Sequence, residues 1–418
     1  MTQLEAQGGA PGPAVGPGGS GYSTGSDDAL EGLLDMANPQ PRYQRWIEGG
    51  GLLCPIDGFA VAANRNLVDE VLRHPGSFTS QGVVQLGNVR PLIPLSIDPP
   101  DHLGYRKLLD PLFAPKRMDA IEEDIAARVN HFIDGFADRG SCDFTAELAV
   151  PFPSAVFLGL MGLPWEELDS FLRMKDGIIR PGGATMMEAE NVDPEERKRI
   201  QDQTAQDIYD YFNAVLDERQ RHPQEDILSG FLQAEVDGRR LTREDILDIC
   251  FLFLIAGLDT VTDSLTCFFA FLAQHPEHRR RIAEDPAVIP AAVEELLRWE
   301  TPVPGVPRMA TADTELAGCP VKAGTLVMAS LGAANVDPAE FEDPFEVRFD
   351  RATNRHVGFG GGVHRCLGSH LARRELRVTL REWHRRIPEY SLTPGSELHY
   401  ARGLRSVEKL ELTWNPTG

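Results

Sequence analysis

Between Thr242 and Pro276 the chain holds no proline, and apolar residues recur on every face of the helix that such a stretch forms. Thr242 followed by Asp245 is a helix start of the capping-box type, with aspartate in the place of glutamate. Roughly 33 residues make a rod of about 50 Å at 1.5 Å per residue. A helix so long and so apolar must cross the interior. Helical periodicity also marks 118–137, 194–221, 290–299 and 369–376, and strand-like pieces fall at 59–62, 314–316, 325–330 and 409–413. The pattern predicts an α-rich body with a small β region. The apolar run 148–163 is interrupted by Pro151 and Pro153, and no unbroken run reaches the ~18 residues of a membrane span. Residues 7–27 are mostly Gly, Pro, Ser and Ala. They predict a disordered tail over 1–27, leaving one domain over 28–418.

Polar residues midway along a buried helix need a reason. Ala256, Gly257, Leu258, Asp259 and Thr260 supply them. Glycine inside a helix costs about 1 kcal/mol relative to alanine, and a threonine hydroxyl can turn back to the i−4 carbonyl, here that of Ala256. The segment is either a kink with a self-satisfied threonine and a paired aspartate, or one side of a site.

The stretch from Phe359 to Gly368 sets Gly360, Gly361, Gly362 and Gly368 around Cys366, with His364 and Arg365 just before it. Glycines let backbone approach a flat ligand, and neighbouring cations favour a thiolate. A lone thiolate on a glycine-rich turn that opens into a helix suits an axial haem ligand. It also suits a turn whose cysteine is only a small core hydrophobe. Cys54, Cys142, Cys250, Cys267 and Cys319 are scattered without a C-x-x-C pair, which fits a reduced, cytoplasmic setting. Cys267 reads as core and Cys319 as part of a turn.

Phe359–Gly368 resembles the haem-binding signature F-G-x-G-x-H-x-C-x-G of the cytochrome P450 family at every defined position. Ala256–Thr260 looks like that family's A/G-G-x-D/E-T motif, with Val261 where a second threonine often stands. Glu295 and Arg298 are similar to its E-x-x-R pair, with Arg351 as the third member and His356 behind it. His102 and Arg106 match the D-P-P-x-H-x-x-x-R segment of bacterial members.

The resemblance implies a single-domain, mainly α fold with a small β region. In it haem b (iron protoporphyrin IX) lies between the long central helix and the cysteine loop of a triangular helical body. It implies Cys366 as the iron ligand and Phe359 and Gly360 as part of the haem loop. His102, Arg106, Arg308 and His364 become partners of the haem propionates. Ala256 and Gly257 form an oxygen groove, Thr260 holds dioxygen and Asp259 relays protons. The activity implied is monooxygenation of a hydrophobic small molecule. A peroxide-driven peroxygenase and a non-catalytic haem-binding protein are the alternatives.

A formal charge of −22 and a pI near 4.9 exclude nucleic acid as the natural partner. A docking face must then be a local basic patch. Lys107, Lys116, Arg117, Arg365 and Arg373 are its candidates, for a ferredoxin fed from NAD(P)H by a ferredoxin reductase, both separate proteins. No membrane partner is expected, and the protein is expected to be a monomer. The family's substrate pocket falls on Val83, Val84, Leu86, Ile93, Ile178, Ile179, Met186, Met187, Val303, Val306 and Leu404, an apolar set. Arg90, Arg180 and Arg402 are possible anchors for a polar end, or simply loop arginines.

Overall fold

In the computed structural model, residues 35–416 are described except 85, 86, 88, 89 and 184, together with the backbone of Tyr22–Ser23. The tail proposed for 1–27 therefore lies outside the described residues, save that Tyr22–Ser23 runs parallel to Leu52 and Leu53. Leu86 also lies outside them, as does the side chain of Met187.

The long helix spans Arg243–Gln274. Its start is fixed as the sequence suggests: the Asp245 N–H donates to Thr242 Oγ1 at 3.1 Å, and the Thr242 N–H donates to Asp245 Oδ2 at 2.8 Å. Two apolar clusters enclose it. Phe251, Phe253 and Leu254 pack with Phe113, Phe157, Phe171 and Phe212. Val261, Phe268 and Phe269 pack with Phe144, Phe152, Leu296 and Trp383.

Around this axis lie Leu168–Ile179, Pro194–Arg221, Ile289–Glu300 and Ser369–Arg386. The stretch 118–137 is divided into Pro115–Ala120 and Glu122–Asp134, a correction to the single helix expected. Pro151 and Pro153 do not break the apolar run after them. They sit in the first turn of the buried helix Pro151–Met161, where a missing N–H removes no intrahelical bond. Among the described residues no helix is long and apolar enough to cross a membrane.

The main sheet runs Tyr22–Ser23, Leu52–Ile56, Phe59–Ala62, Leu326–Ala329, Val306–Ala310 and Phe78–Thr79 in spatial order. Leu326–Ala329 is parallel to Phe59–Ala62 and antiparallel to Val306–Ala310, which carries Arg308. Cys319 is not in a turn. It opens the strand Cys319–Val321 paired with Thr314–Leu316, and the turn falls on Ala317 and Gly318, both at positive φ. The molecule is mainly α with a minor β region, as its sequence pattern predicts.

Candidate active site

From Ile246 to Leu272 every residue of the central helix is buried except Ala256, Gly257 and Thr260. A Cβ added at Gly257 would meet no atom within 4 Å. Open space therefore lies beside the midpoint of a helix that is otherwise packed on all sides. Thr260 Oγ1 donates to the Ala256 carbonyl at 3.3 Å, the back-bond foreseen from sequence. Asp259 points the other way, into protein, and accepts from Lys175 Nζ at 2.8 Å. Arg180 Nη2 lies 3.4 Å from its second oxygen.

The cysteine loop is shaped by backbone rather than side chains. Gly360 and Gly362 adopt positive φ, and a Cβ on Gly362 would collide with the Leu72 carbonyl. The Cys366 N–H donates to the Phe359 carbonyl at 2.9 Å, closing the turn just before the helix Ser369–Arg386. Phe359 packs against the cluster containing Val261, and Leu367 against the one containing Phe253. The loop and the exposed stretch of the central helix thus share the same two clusters. Cys366 is surface-accessible yet has protein on most sides within several ångströms. That surrounding raises its thiol above the ordinary range, and the Gly368 N–H with the Arg106, Arg365 and Arg373 charges lowers it only in part. The cations that sequence credited with making a thiolate do not outweigh burial; coordination to a metal would.

Beside the loop lie two buried side chains, His102 and Arg308, without an anionic partner among the described residues, next to His364 and Arg106, which already reach Asp98 and Asp110. His102 is 1% exposed, and neither ring nitrogen has a partner among the described residues. Arg308 is 5% exposed, and among the described residues its guanidinium donates only to the carbonyl of Pro307, its neighbour. Burial lowers its pKa. The His364 ring is tilted against that of His102 with centroids 4.3 Å apart, and its Nε2 lies 2.7 Å from Ser80 Oγ and 3.5 Å from Asp98 Oδ1. Burial and the charges of His102 and Arg308 push His364 down to about 4. Arg106 is engaged with Asp110 at 2.8 Å and the Arg365 carbonyl at 2.7 Å. Buried donors left in this way cost free energy until an anion completes them. Two carboxylates on a flat macrocycle whose iron takes the Cys366 sulfur fit this donor set.

Beneath the loop, Glu295 and Arg298 form two parallel bonds of 2.8 Å, both fully buried. Arg351 Nε joins Glu295 at 2.9 Å, as expected, and the Arg348 N–H and Asn354 Nδ2 add bonds of 2.8 and 3.0 Å. Arg298 also donates to the carbonyls of Asn335, Pro344 and Glu346, so it ties the segment before the cysteine loop to the helix Ile289–Glu300. His356 stands elsewhere: its Nε2 lies 3.1 Å from Glu294, not Glu295. Sequence reasoning missed Glu294 altogether. Burial alone would raise its carboxyl, but His356 and Arg373 overcome this and hold it well below the usual range.

Arg373, expected on a docking patch, is bound to Glu294 by bonds of 2.7 and 2.8 Å. Of the anchor candidates, Arg90 pairs with the buried Asp248 at 2.7 Å, and Arg180 pairs with Asp176 and Asp259. Only Arg402 stays a surface arginine, 3.9 Å from Glu190. Of the expected pocket wall, Val84 and Ile179 pack on the cluster of Phe253 and Leu258, whereas Val306 packs on the sheet. Val83, Val303 and Leu404 are half-buried. The Arg405 N–H donates to the Pro302 carbonyl at 2.8 Å, which brings 302–306 beside 401–404.

Comparison with known proteins agrees with this geometry. The model of the family described as Cytochrome P450 matches residues 185–385. A steroid C26-monooxygenase of Mycobacterium tuberculosis is 33% identical over 92% of this chain and 95% of its own. The mycinamicin IV hydroxylase/epoxidase of Micromonospora griseorubida is 35% identical over 77% of this chain and 79% of its own. The crystal structure of CYP109E1 from Bacillus megaterium with corticosterone superposes with a TM-score of 0.82 at 29% identity, covering 92% of this chain and all of the other. The chain belongs to the cytochrome P450 family, and is a haem b-dependent monooxygenase, an oxidoreductase that places one atom of O2 in its product.

Proposed function

We propose that this enzyme hydroxylates, or oxidatively dealkylates, a hydrophobic small molecule of steroid, terpenoid or macrolide size, with electrons from a separate ferredoxin and its NAD(P)H-dependent reductase. One observation carries the reading. The accessible stretch of the buried central helix ends on a hydroxyl, Thr260, backed by a buried carboxylate, Asp259. Cys366 would hold the haem iron. His102, Arg308, His364 and Arg106 would hold the propionates, His102 and Arg308 gaining the anions their burial calls for. The Glu295–Arg298–Arg351 cluster keeps the segment before the cysteine loop in place. Bound haem supplies the reductive activation of O2 with two electrons and two protons.

The residues around it decide where those protons go. Thr260 offers one hydroxyl at the open side of the helix, and its donor bond to the Ala256 carbonyl leaves the oxygen lone pairs free to accept. Asp259, held by Lys175 and Arg180 away from water, can pass a proton only along the helix or when that pairing opens. Apolar Val84, Ile179, Val303 and Leu404 favour a substrate with a hydrocarbon face, and the steroid and macrolide relatives support that size. Thr260→Ala tests the assignment with any compound that shifts the haem spin state on binding. Product formed per NAD(P)H should fall and released peroxide should rise, while binding is unchanged. Unchanged coupling would remove Thr260 from the mechanism. Full turnover with peroxide alone, without redox partners, would replace the ferredoxin reading by a peroxygenase.

A further inference from the structure

One turn beyond Asp259, on the same face of the helix, stands a carboxylate that the family motif does not include. Asp263 is 2% exposed, and its Oδ2 has no hydrogen-bond partner among the described residues. Asp259 Oδ2, although 3.4 Å from Arg180, has no bond of hydrogen-bonding geometry either. The surrounding charges are already matched. Lys175 lies 3.0 Å from Asp176 and 2.8 Å from Asp259, and Arg180 lies 2.8 and 3.4 Å from the same two carboxylates. Two cations therefore face two anions before Asp263 is counted. Ionising a third carboxyl there would put like charge one turn from Asp259 in a buried setting, which favours the protonated acid at one of the two.

We propose that Asp263 holds a proton shared with the Asp259 carboxylate, so that the two form a one-proton store behind Thr260. Burial, and then the Asp259 charge, push the Asp263 acid up to about 8, against the pull of Ser406, Arg180 and Lys175. A further titratable neighbour is Cys267, one turn along the helix, behind which Arg405 and Glu300 pair with each other at 2.7 Å. Asp263 is a positioning residue that acts through Asp259. Its O–H bond breaks as the proton moves to Asp259, Asp259 then releases that proton toward the Thr260 hydroxyl, and solvent returns one to Asp263. No oxidation state changes. The relay half rests on the proposed role of Thr260; the shared proton does not.

Infrared spectroscopy of the holoenzyme tests the protonation directly. At neutral pH the wild type should show a protonated-carboxyl C=O band that shifts in D2O and with 13C-carboxyl aspartate. The aspartate label separates it from Glu375 and Glu300, and loss of the band in Asp263→Asn separates it from Asp248; burial raises all three. The band should vanish as pH rises through about 8 and be missing from Asp263→Asn. No labelled band at neutral pH, or its survival in Asp263→Asn, overturns the proposal. If that variant does not fold, Asp248→Asn in its place should leave the labelled band and its titration unchanged, and loss of the band there overturns the proposal. In turnover, product per NAD(P)H should fall in the wild type as pH rises through about 8, and Asp263→Asn should lose that fall. An unchanged pH profile overturns the relay while the Thr260→Ala result stands apart.

Discussion

Lys175 is 1% exposed on Leu168–Ile179, on the stripe that also buries Phe171, Met174 and Ile178. A lysine takes such a place only when its charge is met, and Asp259 meets it at 2.8 Å. The signal is present in the sequence, because a cation at i+4 from Phe171 and i−3 from Ile178 interrupts an apolar stripe. Its partner is not, since Asp259 is 84 residues away. Lys175→Met keeps the volume and removes the charge, leaving Asp259 with Arg180 alone. Breaking a buried pair in this way costs about 3 kcal/mol. A lower urea midpoint at unchanged slope would register that loss; an unmoved midpoint would show that Arg180 suffices. Asp263 adds a pH term. Its folded-state pKa is raised, so the native state holds more protons than the unfolded chain between about 4 and about 8. Stability from this group falls as pH rises through that window and is level above it.

At the scale of elements, what could be read was what the chain announces locally. Pro194–Arg221 and Arg243–Gln274 were legible because proline or a capping box opens each and a long apolar period follows. The break at Ile121 was not, because no proline or glycine stands there. It is flanked by Asp119 and Glu122, and one distant guanidinium, Arg374, clasps both carboxylates. The site divided in the same manner: motif residues within one segment were found, whereas the partners of Lys175 and Glu294 became visible only once helices were brought together, and Asp263 only once its burial was seen. Gly257 tests the element most directly. Its φ is not positive and an added Cβ meets nothing, so Gly257→Ala should stabilise the haem-free protein by up to about 1 kcal/mol. The same methyl narrows the groove and should weaken spin-shifting ligands in the holoenzyme. Destabilisation of the haem-free variant would mean that the space beside the helix closes without cofactor.

For the molecule as a whole, a net charge of −22 sets a surface that repels an acidic partner almost everywhere. Electron delivery by a ferredoxin therefore needs a local exception near the cysteine loop. Lys107, Lys116, Arg117 and Arg365 are exposed, and none has a carboxylate within ion-pair distance among the described residues. Lys107 lies on Asp101–Leu109, whose Arg106 binds the Arg365 carbonyl, and Lys116 and Arg117 lie on Pro115–Ala120, which packs against Ser369–Arg386. The four cations thus belong to elements that meet at the loop carrying Cys366. Rim charges of this kind act on the encounter rate and its salt dependence more than on the final affinity. Arg117→Glu should slow reduction by an acidic ferredoxin several-fold at low salt, and the difference should shrink once the Debye length falls below about 10 Å at 0.1 M salt. Stopped-flow reduction across a salt series separates the possibilities. A slowing that persists at high salt would mean that Arg117 supports the fold of the loop, and no slowing at low salt would place the partner on another face.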